Sequence, residues 1–254
     1  MARLRICVLG GFEPRLDGVP LALRLPRKAV GLLTCLAAAP GLTVSRAALA
    51  TRLWGGRRPE QARHSVRQAL LSTRQALGGA GCSAALSVAD DTLALDRAFV
   101  DVDVREFEAR LDQGSVDALE EAAGLYGGEF LDGFRLGEAA FDDWACRERD
   151  RLRERARHGL AALLLHHDDA GAVEPAIETA LRLLRVDRTQ EPVHRTLIQL
   201  YNRQGRRADA LRQYRTCLGV LRSELGVEPE PETVRLYREI LGPRAAPRGP
   251  VPEP

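Results

Sequence analysis

The residues with the most evident chemical potential lie between positions 57 and 77, where arginine and amide side chains recur at helical spacing. On a helical wheel, Leu70, Thr73 and Leu77 fall within about 40° of Val66 and define an apolar face. The opposite face is polar and has a basic edge. It carries His64, Gln68, Leu71 and Gln75, with Arg63, Arg67 and Arg74 along the edge.

These side chains suit the chemistry that a DNA major groove offers. Guanine presents two acceptors to arginine, adenine presents a donor and an acceptor to glutamine, and the thymine methyl group suits an exposed leucine. We therefore predict that five residues contact base edges: Arg67, Gln68, Leu71, Gln75 and His64. We predict that five arginines contact phosphates: Arg63, Arg74, Arg52, Arg57 and Arg58.

A simpler interpretation is that these residues only solvate an exposed helix and that Leu71 packs on another domain. The charge distribution argues against it. Residues 1–80 hold 13 basic and three acidic side chains, and the net charge of +2 separates into +8 for residues 1–100 and −6 for residues 101–254. A basic half joined to an acidic half indicates that the first half binds a polyanion.

The pattern around this helix predicts a winged helix-turn-helix. Apolar runs at 4–9, 12–16 and 21–25 predict three strands, the last two joined by a hairpin at Asp17 and Gly18. Helices are predicted over 27–39, from the N-cap Ser45 to Trp54, and over 60–77.

A closing hairpin is predicted to form the wing. Its strands lie at 85–88 and 93–95, on either side of Asp90 and Asp91. Two carboxylates at the tip would be repelled by phosphates unless Arg97, at the base of the wing, compensates. Contact between the wing and DNA stays open at this stage.

Beyond residue 103 the pattern is helical, with a repeat of 34 residues. Gly171 and Gly205 are 34 apart, and so are Ala176 and Ala210. This is the tetratricopeptide period, which predicts paired helices that offer a groove to a protein partner. Helices are predicted over 104–112, 116–126, 138–167, 172–186, 192–204, 207–225 and 232–241.

Motifs of other protein classes are missing from the sequence. It has no GxxxxGK loop, no GxGxxG after a strand and no GxSxG. The five cysteines are odd in number and form no CxxC pair, and the longest uncharged stretch is too short to span a membrane. We expect a cytoplasmic protein that is not an enzyme, binds no cofactor or metal and does not associate with a membrane.

Several stretches of the sequence resemble one family. They are LRICVLGGFE, RKAVGLLTCLA, LATRLWGG, ARHSVRQALLSTRQALG, LALDRAFVDVDVREFEA, LYGGEFLDGF, FDDWACRERDRL and LIQLYNRQGRRADALRQYRTCLGVLRSELGVEPEPET. Together they resemble the Streptomyces antibiotic regulatory protein (SARP) family of transcription activators. The resemblance implies a mainly α fold, with an OmpR-like winged helix at 1–100 and a tetratricopeptide-like bacterial transcriptional activator domain at 101–241. We expect residues 242–254 to be disordered.

The resemblance also implies a mode of action. Members bind direct repeats in double-stranded promoter DNA through the third helix, two copies head to tail, and recruit RNA polymerase holoenzyme through its sigma factor. Their targets are usually antibiotic or other secondary-metabolite genes. The alternative is a protein-interaction adaptor whose basic half docks without sequence preference.

Overall fold

The structure, a computed structural model, describes residues 3–242, so all but the first residue of the tail predicted at 242–254 lies outside the described residues. The chain divides into two compact units between Gly159 and Leu160. The expected domain boundary at residue 100 stays a prediction. The first unit includes the winged helix and the segments that follow it as far as Gly159.

Residues 3–242 form seven strands and ten α-helices, so the predicted mainly α class is confirmed. In chain order they are β1 (Leu4–Cys7), β2 (Glu13–Leu16), β3 (Val19–Pro20), α1 (Arg27–Ala38), β4 (Thr43–Ser45), α2 (Arg46–Trp54), α3 (Pro59–Gly79), β5 (Leu86–Ala89), β6 (Thr92–Leu95), β7 (Val100–Val102), α4 (Asp103–Gln113), α5 (Val116–Leu125), α6 (Ala139–Asp169), α7 (Val173–Val186), α8 (Glu191–Arg203), α9 (Arg207–Val220) and α10 (Pro231–Leu241).

The first sheet has the strand order β3-β2-β1-β7. β1 pairs antiparallel with β2 and parallel with β7, a strand that the sequence pattern did not predict. The hairpin at Asp17 and Gly18 is confirmed, but the predicted strand at 21–25 is wrong, because the third strand is β3. The N–H of Leu21 donates to the Pro14 carbonyl of β2 at 2.8 Å. Those of Leu23 and Leu25 donate to carbonyls two residues earlier, at 2.9 Å each, so beyond Leu21 the segment bonds to itself in tight turns.

The wing is a three-stranded sheet in the order β4-β6-β5. β5 and β6 pair from Leu86 with Leu95 to Ala89 with Thr92, which leaves Asp90 and Asp91 as the two-residue loop. The predicted hairpin is therefore confirmed. β4 adds a short third strand that leads into α2.

Helices α1, α2 and α3 form the helix-turn-helix core. The Ser45 hydroxyl accepts from the N–H of Ala48 at 3.1 Å, which confirms the predicted N-cap of α2. Leu49 and Leu53 of α2 are fully buried, as is Leu77 of α3. The apolar stripe predicted for the third helix therefore faces this core.

A buried carboxylate joins α4 to the first sheet. Asp103 begins α4, and its Oδ2 accepts from the N–H groups of Val8 and Leu9 at 2.8 and 2.9 Å. Its Oδ1 accepts from the N–H of Val104 at 2.7 Å. Burial nevertheless raises the pKa of Asp103 to about 6. These hydrogen bonds tie the first helix beyond the winged helix to the end of β1.

The second unit contains the helical repeat. Gly171 and Gly205 both adopt left-handed backbone, with φ of 68° and 71°. Their N–H groups donate to carbonyls three residues earlier, at 3.0 and 2.9 Å, and thus close two equivalent helix-to-helix turns. Ala176 and Ala210, also 34 apart, are fully buried. The predicted period thus corresponds to a repeated helical hairpin.

Candidate nucleic-acid interface

Helix α3 buries one stripe of residues and exposes the rest. Ala62, Val66, Leu70 and Leu77 are buried, and the hydroxyl of buried Thr73 donates to the carbonyl of Ala69 at 2.8 Å. The buried hydroxyl is thus satisfied within the helix. Pro59 stands at the first helical position, where its missing N–H costs nothing. The helix is therefore held by its apolar face alone, which leaves the polar face free to bind a partner.

The predicted base-contact and phosphate-contact residues of α3 share this exposed face. Leu71 is 51% exposed, a large value for a leucine on a helix with a buried side. The exposed predicted residues of the helix are Arg63, His64, Arg67, Gln68, Leu71, Arg74 and Gln75. Arg57 and Arg58, in the turn before α3, are exposed as well.

The arginines on this face lack acidic partners. Within residues 3–242, no ion pair involves Arg58, Arg63, Arg67 or Arg74. Arg57 donates to the Ser65 hydroxyl at 3.1 Å, a neutral partner that leaves the charge uncompensated. Exposed, uncompensated guanidinium groups can bind an anion without first breaking an ion pair.

Two other predicted phosphate contacts have different surroundings. The Arg52 guanidinium is half-buried and lies 4.6 Å from the ring centroid of Trp144, a cation–π contact. Arg97 is exposed but lines a groove with Arg3, Asp101 and other residues outside α3. The structure does not group either side chain with the arginines of α3, and their contact with phosphates stays a prediction.

A groove of about 520 Å³ runs between α2, α3 and the tip of the wing. Arg57, Arg63 and Arg67 line it together with Arg46, which the sequence reasoning did not single out. Arg46 is the first residue of α2, directly after the Ser45 cap. A basic residue at the start of the helix that precedes a recognition helix was the available signal, because such helices cross the DNA backbone.

The tip of the wing faces the same groove. Asp90 and Asp91 line it, and the Asp91 carbonyl accepts from the N–H of Arg46 at 2.8 Å. Asp90 has a φ of 37°, the positive value that tight two-residue hairpins require. The wing therefore places negative charge across the groove from the arginines.

The dimensions of α3 suit a major groove. Its 21 residues correspond to about 30 Å of helix, and a helix with side chains is about 10–12 Å wide, close to the width of the major groove. One face combines arginine, glutamine and an exposed leucine, which are the side-chain types that discriminate bases there.

Comparison with known sequences identifies the protein class. The bacterial transcriptional activator domain matches residues 91–241, more than half of the chain. This chain belongs to the SARP family. The SARP protein is 30% identical to the regulatory protein AfsR of Streptomyces coelicolor and 27% identical to the transcriptional regulatory protein EmbR of Mycobacterium bovis, over 94% of its own length in both cases.

A solved structure of Mycobacterium tuberculosis EmbR, in complex with a low-affinity phosphopeptide, supports the fold of the SARP protein. The TM-score is 0.66 at 25% identity, and the match covers 95% of this chain and 65% of that one. The chain spans 24% of AfsR and 63% of the M. bovis EmbR. By name, AfsR is a regulatory protein and EmbR is a transcriptional regulatory protein, and the domain that matches this chain is named for bacterial transcriptional activators.

The described residues show neither a metal site nor a membrane-spanning helix. Residues 3–242 contain no group of three or more His, Cys, Asp or Glu side chains that could hold a metal ion. The same residues include no helix that is both long and apolar enough to cross a membrane. All five cysteines are free thiols, and burial raises the pKa of Cys35 to about 11.

Proposed function

We propose that the protein activates transcription by binding promoter DNA sequence-specifically through α3. Arg67, Gln68, Leu71, Gln75 and His64 contact base edges in the major groove. Phosphates are bound by Arg63, Arg74, Arg57 and Arg58, with Arg52 and Arg97 as outlying contacts. The exposed face of α3, which joins uncompensated arginines to base-reading side chains, is the observation that supports this proposal.

The same proposal extends to the DNA sequence that is bound and to the protein partner. The protein binds direct repeats, two copies head to tail, and recruits RNA polymerase holoenzyme through its sigma factor. The activated genes are those of a secondary-metabolite pathway, of the antibiotic type. This part rests on membership of the family, and the repeated helical hairpins of the second unit are suited to holding a protein partner.

A gel-shift titration on the upstream region of the gene tests sequence-specific binding. We expect the genomic fragment to be bound roughly a thousandfold or more tighter than scrambled DNA of the same composition. Footprinting should then show two protected sites one or more helical turns apart. Arg147→Ala is the matched control, because Arg147 is exposed on α6, outside the α3 face, and should leave the preference unchanged.

Equal affinity for genomic and scrambled DNA would support the adaptor instead. In that case the basic half docks through charge alone, and affinity falls with salt to the same extent on both DNAs. Recruitment is measured separately, by transcription in vitro from the protected promoter with purified polymerase holoenzyme. A bound promoter that is not transcribed faster would contradict recruitment but not DNA binding.

A further inference from the structure

The end of α2 is fixed by residues that none of the DNA contacts proposed above uses. Lys28, the chain's only lysine, lies in the first turn of α1, and its ammonium group donates to the Leu53 carbonyl in the last turn of α2. The same ammonium donates to the Glu138 carboxylate at 2.6 Å and lies 5.3 Å from the ring centroid of Trp54. One side chain thus joins α1, the end of α2 and the residue before α6.

The carbonyl groups at the end of α2 require partners outside the helix. The last four carbonyls of an α-helix have none within it, and a cation there is also favoured by the helix dipole. The Trp54 carbonyl accepts from the N–H of Arg57 at 3.0 Å, inside the turn that leads to Pro59. Lys28 binds the carbonyl one residue earlier. It therefore acts at the start of the turn that determines where α3 begins.

Glu138 is in turn held by the first turn of α6. The Asp142 carboxylate accepts from the N–H groups of Leu136 and Gly137, at 2.9 and 3.1 Å, and so orders the segment before Glu138. The Glu138 carbonyl accepts from the N–H of Phe141 at 3.0 Å. Any shift of the start of α6 therefore moves the carboxylate that binds Lys28.

The start of α6 also packs closely on the helix-turn-helix. A Cβ on Gly55, the first residue after α2, would lie 3.9 Å from the Cβ of Ala140. A Cβ on Gly31 of α1 would lie 3.0 Å from Leu53 and 3.5 Å from Phe141. These glycines let α1, the end of α2 and the first turn of α6 meet at one point. The point lies within the first compact unit.

We propose that Lys28 is a positioning residue that links the start of α6 to the helix-turn-helix and thereby sets the DNA affinity of α3 without touching DNA. The inference rests on the proposed DNA-binding function. The side chains of Lys28 and Glu138 are only 26% and 29% exposed, so solvent and salt screen the pair less than a surface pair. Glu138 lies within the segment that matches the activator domain, so part of that segment helps to orient the reading helix.

The test compares the affinity of variants for the footprinted promoter site and for scrambled DNA over a range of salt concentrations. Lys28→Met keeps an unbranched side chain, one atom shorter, but removes the charge, and we expect affinity for the promoter site to fall about tenfold. Glu138→Gln should lower it about threefold, and the double variant should be no weaker than Lys28→Met alone. Lys28→Arg, which retains a cationic donor, should restore most of the affinity.

The salt dependence separates positioning from direct contact. Lys28→Met should leave the slope of log affinity against log salt unchanged, because no phosphate contact is lost. Arg24→Met is the matched control: it removes the same charge from an exposed residue four positions earlier in the chain, and affinity should not change. A slope that decreases in magnitude by about 0.9 in Lys28→Met would overturn the inference, because Lys28 would then be a phosphate contact.

Other outcomes are equally decisive. A folded Lys28→Met protein with wild-type affinity overturns the inference. If circular dichroism shows that Lys28→Met does not fold, Glu138→Gln decides, because it leaves the bond between Lys28 and Leu53 in place; wild-type affinity in that variant also overturns the inference. A wild-type protein without sequence preference overturns the proposed function itself, a failure that no Lys28 variant can imitate.

Discussion

Helices α3 and α6 both carry several arginines, but the surroundings of these side chains are opposite. On α3 the guanidinium groups of Arg63, Arg67 and Arg74 are exposed and have no acidic partner within the described residues. On α6 five of the six arginines between 147 and 157 bind within the protein. Four of these five pair with carboxylates: Arg151 with Glu108 and Glu148, Arg153 with Glu129 and Asp150, Arg155 with Asp112 and Glu108, and Arg157 with Glu154.

The difference shows that the role of an arginine is set by its neighbours. A guanidinium paired with a carboxylate contributes little net positive field, whereas an unpaired one attracts polyanions from several ångströms away. Composition assigns a net charge of −6 to residues 101–254, yet the first part of α6 is rich in arginine. The pairing compensates four arginines of α6, whereas those of α3 stay uncompensated.

The largest expected effect is a loss of stability when an internal contact of α6 is removed. Arg149 donates to the carbonyls of Phe130, Leu131 and Phe134, at 2.8, 3.2 and 3.2 Å. Arg149→Ala removes the guanidinium donor from the carbonyl of fully buried Phe130, whereas the Leu131 carbonyl keeps the N–H of Phe134 at 3.1 Å. We expect the free energy of unfolding to fall by about 2–4 kcal/mol in chemical denaturation. Arg147→Ala, an exposed neighbour on the same helix, should change it by less than about 0.5 kcal/mol.

Comparable losses in these two variants would mean that α6 does not depend on the internal bonds of Arg149. The affinity of folded Arg149→Ala for DNA provides a second check, because this side chain is committed to carbonyl groups. We expect the slope of log affinity against log salt to match that of the wild type.

The next effect concerns DNA affinity and distinguishes a base-contacting arginine of α3 from a phosphate-contacting one. Arg67→Ala should weaken binding to the promoter site by about 1–3 kcal/mol more than binding to scrambled DNA, because a base contact is lost. Arg74→Ala should weaken both to a similar degree and reduce the salt slope by about 1, because a phosphate contact is lost. If Arg67→Ala lost the same affinity for both DNAs, Arg67 would be a phosphate contact. If it lost no affinity, Arg67 would not belong to the interface.

The exposed face of α3 was within reach of sequence reasoning because helical periodicity alone separates buried from exposed positions. Val66, Leu70, Thr73 and Leu77 were all predicted to be buried, and all are. The surroundings of Arg52 were not predictable, since Trp144 lies 92 residues further along the chain and no local pattern relates the two. Arg46 differs, because its position at the start of α2 is a local signal that the sequence reasoning did not use.

A third test extends the comparison to a negative charge. Asp103 is buried and relies on backbone N–H groups, and burial raises its pKa from 3.8 to about 6. The native protein therefore holds a proton that the unfolded chain has lost between about pH 4 and pH 6. The contribution of Asp103 to the free energy of unfolding should therefore fall as pH rises through that window, by at most about 1.4 kcal/mol per pH unit. Above the window it should level off.

Other carboxylates also titrate in this range, so the contribution of Asp103 is measured as a difference. Thermal unfolding of the wild type and of Asp103→Asn is followed from pH 4 to pH 8. The stability of the wild type minus that of the variant should decline with rising pH up to about pH 6 and stay constant above it. A difference that rises over this range would mean that hydrogen bonding to the carboxylate outweighs its burial.

Long-range pairing explains most of what the sequence did not predict about the fold. Turn residues and helical periodicity act over a few positions, and they predicted the Asp17 hairpin, the wing and the helices well. Strand β7 pairs with β1 across more than 90 residues, and three residues are too few to show an alternating pattern. The segment 21–25 has an alternating pattern but bonds to β2 only through Leu21, so local preference alone predicted a strand there wrongly.

The smallest expected effect is that of an exposed pair on α6. Arg153 and Glu129 are 40% and 48% exposed, so a double-mutant cycle of Arg153→Ala and Glu129→Ala should give a coupling free energy below about 1 kcal/mol. This coupling should weaken further as salt is raised from 0.1 to 1 M. A coupling of several kcal/mol that resists salt would show that the pairs of α6 exist for stability. A small coupling indicates instead that pairing mainly neutralises arginines outside the helix-turn-helix. In that case Glu129→Ala, which leaves Arg153 the longer pair with Asp150 at 3.5 Å, should raise affinity for scrambled DNA more than affinity for the promoter site.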